Sequence, residues 1–404
     1  MKALVKRQYL LPFVLITSLF FLWGAAHAIL DVLNKHFQQV MDITHAHSSM
    51  VQVMFYLGYF VMAIPAGWLI GRYGYRVGVV VGLLLYGVGA LLFEPGARMM
   101  SFSFFLGSLF IIACGLVFLE TSANPYVTEL GDRETAPARL NLAQSFNGLG
   151  CICGPLFGLV LFDGQGGEHI AVPYVLMGTV ALIVALFFVR VRLPEIPQTD
   201  GNAASEGDPA PRHVFRRLLG NRSFRFGLLA LLSYEVSEIS INSFFINYAS
   251  DEGWMSPRTA SAVLSFGGLT LFMLGRVTGS FVMQRVPAFR VLRFCAVGTC
   301  LTTFLVLANV GAVSHVAVVL IYVFESIMFP TIFALSLRTV GSLGKRASSL
   351  LMMTPVGGAI GPLLMGWVAD NGGMSTAFVV PLVGFATVAA YAFSAHVEPL
   401  PEKA

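Results

Sequence analysis

The sequence predicts an all-α membrane protein with twelve transmembrane helices in two six-helix bundles. Three observations predict it. Hydrophobic residues make up 56% of the 404 residues and charged residues 11%, against about 25% charged in soluble domains. The apolar residues come in blocks of about 20, the length that crosses a bilayer core of about 30 Å as a helix. Third, an acidic motif recurs 205 residues on: Phe118-Leu119-Glu120-Thr121-Ser122-Ala123-Asn124-Pro125 and Phe324-Glu325-Ser326-Ile327-Met328-Phe329-Pro330. Proline follows the acid by five residues in both. An acid inside a membrane helix costs roughly 2.5–3.5 kcal/mol on insertion scales and is retained where it faces a wet interior. The same costly device used twice points to a duplicated transporter and not to a soluble enzyme.

The blocks follow one another as twelve spans. Span 1 (9–33) follows Lys2, Lys6 and Arg7 and ends near Ala25-Ala26-His27-Ala28, which imitates a signal peptide. Its apolar run is longer than the 7–15 residues of a signal core, so it reads as a retained anchor helix. Spans 2 (47–70) and 3 (77–94) flank a basic loop, and spans 4 (101–128) and 5 (138–162) carry the first acid and a run of amides. Span 6 (171–193) closes an N-terminal bundle, residues 1–193. Residues 194–221, from Pro194 and Pro197 to Arg216-Arg217, are polar and rich in Pro, Gly and Ala, the composition of a linker. The C-terminal bundle, 222–404, holds spans 7 (222–249), 8 (258–284), 9 (289–309), 10 (313–338), 11 (347–369) and 12 (374–396).

A second repeat agrees with this division. Gly150-x-x-x-Gly154-Pro155-Leu156 in span 5 matches Gly357-x-x-x-Gly361-Pro362-Leu363 in span 11, 207 residues later. Glycines four apart let helices approach closely, so tight packing is the first reading, with bending at the prolines contributing to relative motion of the halves. Charge placement sets the topology. Of the 25 Lys and Arg, only Lys35, Arg98 and Arg258 fall in loops on one side, and Arg276 lies inside a span. The rest gather on the other side, which places both termini in the cytoplasm. The five cysteines all lie in apolar blocks, and Cys151-x-Cys153 has neither zinc spacing nor histidine companions. No nucleophile–base set, metal site or phosphate loop is present. The sequence therefore argues against an enzyme, a cofactor and a nucleic-acid partner.

Polar residues inside the spans fall on helix faces. His27, Asp31 and Asn34 share a face of span 1; Glu120 and Asn124 share one of span 4. Asn141, Gln144 and Asn147 recur every three residues on span 5; Tyr234, Glu235, Glu238 and Asn242 lie on span 7, and Glu325 on span 10. The amides and carboxylates, interleaved with Phe55, Tyr56, Tyr59, Phe244 and Phe245, suit a neutral polyhydroxylated molecule: the polar groups pair with hydroxyls and the rings pack on a sugar's apolar face. A cationic drug is the competing ligand. The carboxylates also invite proton coupling, because removing a carboxyl from water favours its neutral form. Asp31 and Glu120 are the coupling candidates. Glu238 and Glu325 read as substrate contacts or structural hydrogen-bonding groups. Glu235 stands where a solvated helix end is the competing reading. For His27 the competing reading is a packing role, and for Asn124 it is satisfaction of backbone freed by Pro125.

Two six-span halves joined by a linker resemble the major facilitator superfamily. There the substrate site lies near the midplane between parallel repeats, spans 1, 4, 7 and 10 line it, and transport is by alternating access. The loop Gly67-Trp68-Leu69-Ile70-Gly71-Arg72-Tyr73-Gly74-Tyr75-Arg76 resembles the superfamily's signature and departs from it at Gly71, where the signature carries aspartate. Leu119-Glu120-Thr121-Ser122-Ala123-Asn124-Pro125-Tyr126-Val127-Thr128 with Arg139-Leu140-Asn141-Leu142-Ala143-Gln144-Ser145-Phe146-Asn147 resembles the fucose:proton symporter family, which includes L-fucose permeases and glucose/galactose transporters. Glu325 with Phe329-Pro330, and Gly357-Gly358-Ala359-Ile360 with Gly366 and Asp370, resemble its spans 10 and 11. The resemblance implies a proton-coupled symporter importing a hexose or 6-deoxyhexose such as L-fucose, glucose or galactose. Asp31 and Glu120 match its coupling acids and Gln144 its span 5 glutamine. Span 1 reads Ile29-Leu30-Asp31 where the family often has an amide before the acid, whereas Glu238 matches the glucose/galactose branch. The expectation is a monomer in the bacterial inner membrane, its partners being sugar, protons and lipid. A sodium-coupled sugar carrier and a drug:proton antiporter are the alternatives.

Overall fold

The computed structural model describes residues 4–41, 50–162, 171–190 and 211–394, and every regular element among them is helical. Span 1 is Leu10–Met41, span 2 Met50–Tyr73, span 3 Tyr75–Leu91, span 4 Phe102–Glu129, span 5 Ala136–Phe162 and span 6 Ala171–Arg190. Helix Pro211–Gly220 occupies the end of the stretch assigned to the linker; residues 191–210 lie outside the described part. Span 7 is Arg222–Asp251, and span 9 is Ala288–Leu307. Spans 8 and 10–12 are interrupted. Span 8 joins Pro257–Ala262 to Leu269–Val282 through a π turn at Val263–Gly268; span 12 joins Met374–Ala377 to Val379–Ser394.

Proline accounts for two of the interruptions. A proline donates no hydrogen bond to the carbonyl four residues before it. Span 11 consists of Gly344–Leu351, a 3-10 turn at Thr354–Val356 and Gly357–Gly372. Pro355 leaves the Leu351 carbonyl without its helical donor, and Thr354 Oγ1 donates to it instead, at 2.7 Å. Span 10 breaks between Ala312–Glu325 and Met328–Arg338, upstream of Pro330. Pro125 in span 4 sits inside an unbroken helix, so the repeated acid–proline motif shapes its two helices differently.

Ten helices among the described residues are long and apolar enough to cross a membrane. Span 7, described along its whole length, is not among them, and it carries Glu235, Glu238 and Asn242. Large apolar side chains such as Ile183, Phe294, Phe304, Leu363 and Trp367 are exposed on the outside of the bundle. That is the surface a bilayer covers.

Repeated contacts give the duplication a physical form. A Cβ on Gly150 would lie 2.3 Å from the Phe21 carbonyl oxygen, so spans 1 and 5 meet backbone to backbone. In the second half, a Cβ on Gly361 would lie 2.3 Å from the Val236 oxygen, and one on Gly357 2.9 Å from the Leu232 oxygen. Spans 7 and 11 thus meet in the same way, and the packing reading holds at these three glycines. The side chains of 153–162, with Gly154 and Pro155, are outside the described part. Arg76 at the start of span 3 donates to the Phe188 carbonyl at 3.1 Å and to that of Val189. Arg293 at the start of span 9 donates to the carbonyls of Ala392 at 2.8 Å and Phe393 at 3.3 Å. In both, a cation meets the carbonyl-rich end of the sixth helix of its half.

Arg72, Arg76, Arg139, Arg290, Arg293, Arg338 and Arg346 share one end of the bundle, called the basic end below. There Gly71 faces Arg346: a Cβ at position 71 would lie 3.8 Å from Arg346 Nε. Arg139 is fully buried. It donates to the carbonyls of Val127 (2.7 Å), Thr128 (2.5 Å) and Leu4 (2.9 Å) and to Thr135 Oγ1 (2.8 Å). Two of these are carbonyls of the last turn of span 4, where helical donors run out; Val127 also accepts from Leu130 N at 3.4 Å. Lysine cannot reproduce this fork. Arg139→Lys is expected to lower stability by about 2 kcal/mol, the worth of one charge-assisted hydrogen bond, read as a lower thermal unfolding midpoint in detergent. An unchanged midpoint would remove this tie from the account.

Candidate functional site

Glu120 is 7% exposed on span 4 and accepts a 2.6 Å hydrogen bond from the Tyr59 hydroxyl of span 2. Tyr59 packs on Phe55, ring centroids 5.4 Å apart, and faces the edge of His27 at 6.1 Å. His27 Nδ1 is 3.0 Å from the Trp23 carbonyl oxygen, and the ring stands edge-on to Phe55 at 5.0 Å. His27 thus packs on the rings of Phe55 and Tyr59 and lies beside a carbonyl of its own helix. Asp31 and Asn34 lie in the same helix, but the side chains of residues 28–41 are outside the described part.

One turn beyond Glu120, Asn124 accepts from Gln144 Nε2 at 3.2 Å, and its own Nδ2 points to Met352 Sδ of span 11 at 3.7 Å. Asn124 therefore serves span 5 and span 11; the carbonyl that Pro125 frees, Thr121, is met by the Ser348 hydroxyl of span 11 at 3.2 Å. Asn141 donates to the Pro137 carbonyl at 2.8 Å and to Thr331 of span 10 at 3.0 Å, leaving its buried Oδ1 without a hydrogen-bond partner. With its amide oxygen toward span 1, Asn147 accepts from Trp23 Nε1 at 2.6 Å and from Gly24 N at 3.3 Å. Turned the other way, that oxygen meets Arg276 Nη1 at 3.5 Å. We adopt the first orientation because it satisfies the indole with a shorter bond.

Span 7 contributes Tyr234, Glu235, Glu238 and Asn242. Tyr234 is fully buried and Glu235 is 7% exposed in mid-helix. The solvated reading of Glu235 is therefore overturned: the residue is near enough to Glu238 and Glu120 for their charges to interact. Asn242 Oδ1 is buried without a hydrogen-bond partner. Glu325 is fully buried at the break in span 10, and neither carboxylate oxygen has a hydrogen-bond partner. It makes no hydrogen bond to its own helix among the described residues. Its electrostatic neighbours are Glu238 and Arg276.

Arg276 of span 8 had no role in the sequence reading. It is 5% exposed and stacks on Phe272, its guanidinium carbon 4.2 Å from the ring centroid. Nε donates to the Ser326 carbonyl at 2.9 Å; Nη1 donates to the Gln144 carbonyl at 3.1 Å and to Gln144 Oε1 at 3.4 Å. Tyr59, Thr331 and Ser348 were also unassigned as partners of the acids and amides. Ser280 Oγ donates to the Ala138 carbonyl at 2.7 Å, so the first and last six spans meet along spans 5 and 8, 5 and 10, and 4 and 11. Most of this seam lies toward the basic end. Among the described residues no group of three or more His, Cys, Asp and Glu is placed to hold a metal ion.

The arrangement is one of midplane carboxylates beside amides at a seam between two helix sets, and known proteins share the chain's pattern. A model of the Major Facilitator Superfamily matches residues 9–353. The chain is 34% identical over 397 residues to the glucose/galactose transporter of Brucella abortus biovar 1 (strain 9-941), covering 96% of this chain and 94% of that protein. It is also 34% identical over 416 residues to the L-fucose-proton symporter of Escherichia coli (strain K12), covering 96% and 93%. The crystal structure of the transporter FucP in the outward conformation superimposes with a TM-score of 0.87 at 34% identity, over 96% of this chain and 99% of that one. These relatives are transporters, not enzymes. The chain belongs to the Major Facilitator Superfamily, within the group that holds the fucose:proton symporters and glucose/galactose transporters.

Proposed function

We propose that the protein imports a neutral hexose or 6-deoxyhexose together with protons across the bacterial inner membrane. It does so as a monomer, by alternating access of two six-helix bundles, residues 1–193 and 222–404, with 194–221 as the cytoplasmic linker. The carrying observation is the buried Glu120–Tyr59 hydrogen bond one turn from the Asn124–Gln144 amide pair. A carboxyl that exchanges a proton thereby sits beside uncharged groups suited to sugar hydroxyls. The transport functions of these relatives support the same substrate class. Both termini face the cytoplasm by the distribution of Lys and Arg. The basic end is then cytoplasmic, and the seam toward it makes this an outward-facing arrangement.

In this reading Asp31 and Glu120 carry coupling. His27, Asn34, Asn124, Asn141, Gln144, Asn147, Tyr234, Glu238, Asn242 and Glu325 contribute the sugar's surroundings, and Asn141 also fastens the seam. Sugar and proton load from outside, the seam opens as the halves rock, and both leave to the cytoplasm. The amide-rich face disfavours a cationic drug, for which acids and aromatic rings alone suffice.

The test is uptake of labelled L-fucose, D-glucose and D-galactose into proteoliposomes under an imposed proton gradient. Saturable uptake of at least one is expected; uptake of none, with extrusion of a cationic dye, would replace this reading with the antiporter. Glu325→Gln should slow uptake about fivefold, the worth of roughly one hydrogen bond, and so less than Glu120→Gln. Equal loss of accumulation in both variants would place coupling at Glu325 as well.

A further inference from the structure

Gln144 has no choice of amide orientation in this structure, and the reason is a guanidinium on another helix. An arginine only donates hydrogen bonds. Arg276 Nη1 at 3.4 Å therefore demands the Gln144 oxygen, and this sends Nε2 to Asn124 Oδ1 at 3.2 Å. Asn124 must in turn present its Nδ2 to Met352. One cation thus fixes the polarity of a chain of amides running from span 8 through spans 5 and 4 to span 11. The other edge of the same guanidinium holds the Ser326 carbonyl at 2.9 Å. That carbonyl is the one whose helical donor Pro330 removes, and it directly follows Glu325. A buried guanidinium is costly without compensation, and among the described residues Arg276 makes no ion pair within 4.0 Å. Its hydrogen-bond partners are carbonyls and an amide, while the charges of Glu238 and Glu325 act on it from farther away.

We propose that Arg276 is a positioning residue of the sugar site. It orients the Gln144–Asn124 amides toward the sugar and holds the span 10 turn that carries Glu325 in register with them. The inference rests on the proposed sugar transport and adds a residue outside the four site-lining spans. Its role needs the planar fork of arginine, because two acceptor directions on two helices are met at once. Lysine keeps the charge and can reach one of them.

The experiment compares wild type, Arg276→Lys and Arg276→Gln in proteoliposomes, with Pro330→Ala alone and combined with Arg276→Lys. Two quantities are read: KM and maximum rate of equilibrium exchange for the transported sugar, and the thermal unfolding midpoint without sugar. Arg276→Lys is expected to raise KM about tenfold, as expected for loss of one charge-assisted hydrogen bond, with a maximum rate within about twofold of wild type. Arg276→Gln should raise KM further. Pro330→Ala returns a helical donor to the Ser326 carbonyl, so it should not restore the KM of Arg276→Lys. A wild-type KM in Arg276→Lys would overturn the proposal. So would a raised KM that Pro330→Ala brings back, since the guanidinium would then serve only the broken turn. Wild-type protein that exchanges no sugar would defeat the transport reading itself and the inference with it, an outcome visible before any variant is compared.

Discussion

Glu120→Gln is expected to abolish proton-driven accumulation of sugar and to leave exchange of sugar across the membrane running. Glutamine has the same shape, and its Oε1 can still accept the hydrogen bond that Tyr59 donates at 2.6 Å. The neighbours of the sugar keep their places, but the side chain no longer exchanges a proton. Binding and rocking are thereby separated from coupling. Internal sugar should rise only to the external concentration, whereas wild type goes above it. Asp31→Asn is expected to behave in the same way, on the strength of its match to the family's span 1 acid. Full accumulation in both variants would refute the coupling assignment.

The second large effect is expected at Gly24. A Cβ there would fall 2.1 Å from the main-chain oxygen of Asn147, and one on Gly150 would fall 2.3 Å from that of Phe21. Main-chain atoms do not swing aside as the tip of a lysine does. Gly24→Ala must therefore push span 1 off span 5 and pull Trp23 away from Asn147. Overpacking typically costs about 1–3 kcal/mol and more where backbone must move. The gain in helix propensity is only about 1 kcal/mol. We expect a lower unfolding midpoint and weaker sugar exchange together. Gly107→Ala is the control: a Cβ there meets nothing within 4 Å, and it should leave the midpoint unchanged or raise it. Equal behaviour of the two substitutions would show that the glycine contact between spans 1 and 5 is unimportant.

Much of this architecture is legible in the sequence because a bilayer imposes a strict code. Spans must be long and apolar, so the exceptions stand out. Span 7 is the fully described span that misses the apolarity criterion, and it carries three of the site residues of the second half. The glycine repeat gives the packing of spans 1 with 5 and 7 with 11, because close approach leaves few residue choices. Partnerships across the seam were not legible. Thr331 with Asn141 and Ser348 with the Thr121 carbonyl join residues about half the chain apart, and serine or threonine in a span looks the same with or without such a partner. Arg276 was visible only as a stray charge. Its acceptors include two main-chain carbonyls, which leave no mark in a sequence except through Pro330. The solvated alternative for Glu235 stayed open because its neighbours in sequence do not show that span 7 packs against spans 10, 11 and 12.

The paired acids turn out unequal for a reason the motif conceals. Both prolines free a carbonyl one residue after the acid. At Thr121 a hydroxyl from span 11 meets it and the helix continues; at Ser326 a guanidinium meets it and the helix breaks. Glu120 has a tyrosine partner, whereas both Glu325 oxygens have none. The first acid has a defined hydrogen-bond partner, and the second is buried with its acceptor oxygens unused.

Proton–sugar symport is tested most directly by the pH of a lightly buffered, de-energised suspension of cells expressing the chain, recorded while L-fucose, D-glucose or D-galactose is added. The account predicts prompt alkalinisation of the medium with the transported sugar, absent in Glu120→Gln. Sugar uptake without any pH change, driven instead by a sodium gradient, would contradict it.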